Sequence, residues 1–186
     1  MNITGSSNLR TTRVAVLAGL MCTSFGALAE MPRSEYQTEK DAIAQRYDAA
    51  RDACAQRAGN AKDVCIKQAE LDRTIATGEL DVRDRGTADA REDAQRDRIN
   101  AEFSLADEKC DDLGGNKKSV CEKEARATRD KALADLKADV ARQEADTKAV
   151  KERREADYKV ALQKCESLAG DAKSACKDDA KRRFGG

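Results

Sequence analysis

The sequence predicts an all-α protein: an elongated antiparallel helical bundle, or a zigzag, of three disulfide-stapled αα-hairpins joined by long charged helices. Three observations predict it. Cysteines recur in pairs with ten residues between them, apolar residues recur around them at helical spacing, and 35 basic and 35 acidic side chains dominate a chain of 186 residues with one proline. Large apolar side chains are too few and too scattered to fill a thick globular core, which excludes a compact α/β enzyme domain. A formal net charge of zero, with no basic block, argues against nucleic acid as a partner.

The first 29 residues contain no acidic side chain, carry Arg10 and Arg13, and run through an apolar stretch from Val14 to the small-residue sequence Ala27-Leu28-Ala29. This is the three-part pattern of a secretory signal peptide, with cleavage expected after Ala29. The stretch from Val14 to Ala29 falls short of the ~20 apolar residues of a membrane-crossing helix, so no transmembrane helix is expected in the mature chain. Cys22 follows Met21, too bulky for a lipoprotein signal, and reads as part of the leader. Removing Arg10 and Arg13 with the leader leaves a formal charge of −2, and removing Cys22 leaves six cysteines in residues 30–186. An even count in an exported chain points to disulfides and a periplasmic location.

Internal repetition organises those six cysteines. The segments Cys54-AQRAGNAKDV-Cys65, Cys110-DDLGGNKKSV-Cys121 and Cys165-ESLAGDAKSA-Cys176 are related, and an aromatic lies seven residues before each first cysteine: Tyr47, Phe103 and Tyr158. The repeats cover about 43–72, 99–128 and 154–183 of the mature domain 30–186. A continuous helix would hold paired Cα atoms ~16 Å apart, far beyond disulfide reach, so the chain must turn between them. Gly59-Asn60, Gly115-Asn116 and Gly170-Asp171 supply the turn, with glycine expected at a left-handed helix end and Asn or Asp as the next N-cap. Disulfides are therefore expected within each pair: Cys54 to Cys65, Cys110 to Cys121 and Cys165 to Cys176.

The arms read as helices because Ile43, Tyr47, Ala50 and Cys54 follow spacings of four, three and four, with the pattern repeated from Ile99 to Leu113 and from Tyr158 to Leu168. Each aromatic then belongs to a small core beside its disulfide. Residues 122–157 contain no glycine or proline and place opposite charges four apart at Glu122/Arg126, Lys131/Asp135, Arg142/Asp146, Glu144/Lys148, Arg153/Asp157 and Glu155/Lys159, the pattern of a long solvated helix. Its seam of Leu133, Leu136, Val140 and Val150 is too thin to secure a tight coiled coil. Between repeats one and two, Gly78 and Gly86 predict a kink or break from Thr77 to Thr87. Four helices are expected, over about 34–58, 60–113, 116–169 and 171–183. The middle two would be ~80 Å long if unbroken, so that hairpins one and three meet at one end.

No catalytic constellation is present. Histidine is absent, removing the base of Ser-His and Cys-His chemistry, and cysteines with ten residues between them do not form a redox Cys-x-x-Cys pair. Asp81-Val-Arg-Asp84-Arg-Gly86 has the outline of a calcium loop but places Arg83 and Arg85 where oxygen donors belong. No catalytic, cofactor-binding or metal-binding residue is assigned. The acidic pairs Asp111-Asp112 and Asp178-Asp179 read as solvated helix-end charges.

The tandem Cys-x10-Cys hairpins, their Gly-Asn or Gly-Asp turns and the closing Cys176-KDDAKRRFG resemble those of uncharacterised exported Gram-negative proteins, often labelled TolA-like on composition. The resemblance implies a non-catalytic periplasmic protein of the cell envelope. The combined expectation is a structural or interaction protein, a stapled rod contacting an envelope protein or polymer. The alternative is a small stress-related binding module, a holdase or cation binder. The thin apolar seams are compatible with a homo-oligomer.

Overall fold

A computed structural model describes residues 31–184. The expected leader, with Cys22, lies outside the described residues. Five helices follow one another: α1 (Arg33–Cys54), α2 (Asn60–Arg85), α3 (Ala88–Cys110), α4 (Gly115–Cys165) and α5 (Gly170–Phe184). Each packs on its neighbours in sequence, α1 on α2, α2 on α3, α3 on α4 and α4 on α5. The result is an open row of antiparallel helices with three disulfides across its hairpins.

The second expected helix is broken, and the break reorganises the fold. Gly86 takes the left-handed conformation (φ 62°) and donates its N–H to the Val82 carbonyl at 2.9 Å, closing α2. Thr87 then caps α3, its hydroxyl accepting from the Ala90 N–H at 3.1 Å. A glycine that tolerates positive φ, followed by a threonine that satisfies an unpaired helix N–H, folds the chain back in two residues. Gly78, by contrast, stays inside α2: a Cβ there would stand 2.9 Å from the Ala94 Cβ on α3. Its missing side chain lets the two backbones approach closely.

Because α3 returns alongside α2, the end-to-end arrangement differs from the expected one. Turns one and two lie side by side, joined by Asn60, whose Nδ2 donates to the Glu108 carbonyl at 3.2 Å. Turn three lies at the far end of α4, so hairpins one and three do not meet. Only α4 reaches the expected length, with 51 residues or ~76 Å.

Burial follows this arrangement. Ile43, Ala69, Leu71, Leu80, Ala90 and Leu105 are buried with Cys54 and Cys110, whereas in α4 and α5 only Cys165 and Ala180 are. From Ala141 to Asp157 every residue is exposed except the half-buried Ala149. Tyr36 ties the open end of α1 to α2 by donating to Asp81 at 2.7 Å, and Arg83 pairs with Glu39 beside it. Asp81 and Asp84 therefore sit on helix α2 and do not form a loop.

Candidate interaction surface

The three stapled turns share one construction. Paired Cα atoms stand 5.6, 5.7 and 5.7 Å apart at Cys54–Cys65, Cys110–Cys121 and Cys165–Cys176, the separation that a turn between helices was expected to produce. The first helix of each hairpin ends at its first cysteine, about four residues earlier than expected. The Cys54, Cys110 and Cys165 carbonyls then accept from Arg57, Leu113 and Leu168 at 3.0 to 3.1 Å, a tight i to i+3 turn. Gly59, Gly115 and Gly170 take φ between 55° and 58°, but immediately before or at the start of the second helix. Asn60 and Asn116 are not N-caps as expected: Gly59 and Gly114 occupy those places, without a side-chain bond. Asn60 instead bridges the two turns.

Across turns two and three an ion pair spans from the residue after the first cysteine to a lysine three before the second. Lys118 meets Asp111 at 2.8 Å, and Lys173 meets Glu166 at 2.8 Å, with Lys177 on its other oxygen at 2.9 Å. The two lysines lower the Glu166 carboxyl to about 2, and Asp111 raises Lys118. Turn one has Ala55 and Lys62 at these positions and no such pair.

The aromatics before the cysteines are half-buried. In hairpins one and two each is covered by an arginine eight residues after the second cysteine. The Arg73 guanidinium lies 4.4 Å from the Tyr47 ring centre and Arg129 lies 4.4 Å from that of Phe103, within cation–π range. The small core beside each disulfide is therefore roofed by a cation. Hairpin three has Phe184 at the arginine position. Aromatic and arginine belong to different arms, so the pairing was readable once the hairpin register was applied to both.

Away from the turns, α4 exposes most of its residues. An open cleft of about 820 Å³ separates its middle from the start of α3, lined by Gln95, Leu136, Val140, Gln143 and Thr147 among charged neighbours. Of the expected i, i+4 charge pairs, Arg142 turns instead to Asp139 at 2.8 Å, and Lys148 to Glu152 at 4.0 Å. Among the described residues, no three His, Cys, Asp or Glu side chains are grouped to hold a metal ion. No described helix is long and apolar enough to cross a membrane. No protein-family model, curated protein or solved structure matches the chain significantly.

Proposed function

We propose that the chain is a non-catalytic structural or interaction protein of the periplasm, a disulfide-stapled helical rod contacting envelope proteins or polymers. The observation that carries this reading is α4: one 51-residue helix separates a pair of stapled hairpins from a third and leaves its middle exposed. Three disulfides support an oxidising compartment, and the leader-like sequence of residues 1–29 supports export to it. Photo-crosslinkers placed in cells at exposed positions along residues 122–157 test it. Reproducible adducts with another envelope component are expected; their absence at every position would overturn the reading.

A further inference from the structure

We propose that Cys165–Cys176 is a redox-exchangeable bridge: a dithiol reductant opens it while the other two stay closed, and its opening releases α5 as a flexible C-terminal arm. This goes beyond the envelope reading and does not depend on it.

The first observation is access. An open cleft of about 470 Å³ beside α4 and α5 is lined by both Cys165 and Cys176, together with Val160, Lys164, Ala180 and Phe184. The corresponding cleft beside α1 and α2 is lined by Ile43, Tyr47, Ala50, Ala69 and Arg73 and reaches neither Cys54 nor Cys65. At hairpin two the residue corresponding to Val160 is Leu105, which is buried, whereas Val160 is 54 % exposed. Cys165 is buried and Cys176 half-buried, so Cys176 carries the sulfur that an attacking thiolate reaches.

The second observation is what holds the arms once a bridge is open. α5 packs on α4 alone, and the buried residues of hairpin three are Ala180 and Cys165, itself half of the bridge. The pairs from Lys173 and Lys177 to Glu166 are solvent-exposed, and such pairs contribute little. A helix of 15 residues left without packing is marginal in water. By contrast, α1 keeps Ile43 in the core, the Tyr36–Asp81 hydrogen bond and the stacking of Arg73 on Tyr47. Hairpin two keeps Leu105 buried and Arg129 over Phe103.

Linkage turns this difference into selectivity. Arms that stay docked after reduction hold their two thiols together and favour closure. Arms that separate leave their thiols at the effective concentration of a flexible loop, on the order of millimolar. All three bridges close loops of the same length, so loop entropy does not distinguish them. The docking of the arms does, and it makes bridge three the easiest to reduce.

The exchange balances with the dithiol as its only co-reactant. One thiolate of the dithiol attacks the Cys176 Sγ, forming a mixed disulfide; the Cys165–Cys176 bond breaks, and Cys165 leaves as a thiolate that takes a proton. The second thiolate of the reductant then displaces Cys176, which is protonated in turn. Two electrons and two protons pass to the chain, and the dithiol departs as a disulfide. The released arm carries Lys181, Arg182, Arg183 and Phe184. Redox state thus decides whether a basic, aromatic segment is folded against α4 or free.

The test equilibrates the oxidised full chain in dithiothreitol buffers of graded reduced-to-oxidised ratio. Alkylation and peptide mass spectrometry read each bridge, and hydrogen exchange reads the helices in the same samples. Cys165–Cys176 is expected to open at a ratio at least about tenfold below that of either other bridge. In step with it α5 is expected to lose amide protection, while α1, α2 and α3 keep theirs. Three bridges opening over one range, another bridge opening first, or an open Cys165–Cys176 with α5 still protected would each overturn the proposal.

Discussion

Residues 78–87 and residues 134–143 occupy corresponding places in two tandem copies, and the chain reverses in one and runs straight in the other. The first carries Gly78, Gly86 and Thr87; the second carries Ala134, Arg142 and Gln143. Nine of the ten positions differ, and the loss of Gly78, Gly86 and Thr87 is among the changes between a two-residue turn with a buried helix–helix interface and an exposed helix of 51 residues. The comparison teaches that the repeat specifies its stapled turns robustly, whereas the link between repeats is decided by a glycine, a cap and a close approach. Half of the row owes its core to that decision. The large buried side chains Ile43, Leu71, Leu80 and Leu105 all belong to α1, α2 and α3.

The sharpest way to break the contrast is to attack the folded-back half at its most buried side chain. Leu80 is fully buried, and Leu80→Ala is expected to cost about 2–5 kcal/mol, read as a lower denaturation midpoint. The straight half offers no equivalent: Leu136, the corresponding residue on α4, is only half-buried, and Leu136→Ala should cost well below that.

Next come the staples. Replacing Cys165 and Cys176 by serine removes about 2–3 kcal/mol on the chain-entropy argument, and α5, which packs only on α4, should lose its amide protection in hydrogen exchange. The same change at Cys54 and Cys65 should leave α1 docked, because Ile43 and the Tyr36–Asp81 bond remain. Equal loss of protection in both variants would erase the distinction between the two halves.

Smaller effects test the turn itself. Gly78→Ala drives a Cβ against Ala94 and is expected to cost about 1–3 kcal/mol as overpacking. Thr87→Ala removes the α3 cap for about 1 kcal/mol. Both are measurable as midpoint shifts by circular dichroism.

The smallest expected effect is electrostatic and separates turn three from turn one. Glu166 is held at about 2 by Lys173 and Lys177, below the ordinary carboxylate value near about 4.3. A depressed folded value means that the stabilisation is complete above the unfolded value and is lost as pH falls from there through about 2. The pair is exposed, so salt should weaken it. Glu166→Gln should flatten this acid limb of stability, while turn one, without the pair, should show none of it.

Much of the fold was legible because it is local. Ten residues between cysteines leave no geometry for a disulfide except a turn, and the repeated glycine places that turn. The break before Thr87 was also legible as a break, from Gly78 and Gly86. Its consequence was not: whether a helix kinks or folds back depends on the packing of Gly78 against Ala94, a tertiary contact between residues of unremarkable type. The same holds for Asn60, read as a cap from its residue type and found bridging to Glu108. The charge pairs along α4 were misassigned because each carboxylate has several cations within reach, and exposed pairs differ by only a few tenths of a kcal/mol. For the surface, the arginines over Tyr47 and Phe103 required the hairpin register before they meant anything.

The order of the cysteines along the chain has a kinetic consequence. Each of the three disulfides joins a cysteine to the next one in sequence, eleven residues on. A chain that meets an oxidant N-terminus first would close its bridges one after another as they emerge, each before the next reactive thiol arrives. Loops this short close in roughly 10–100 ns, much faster than disulfide chemistry, so the correct partner is repeatedly presented while distant ones are still absent. Oxidative folding of these bridges should need little reshuffling, whereas refolding residues 30–186 from the fully reduced state offers their six thiols at once and fifteen ways to pair them.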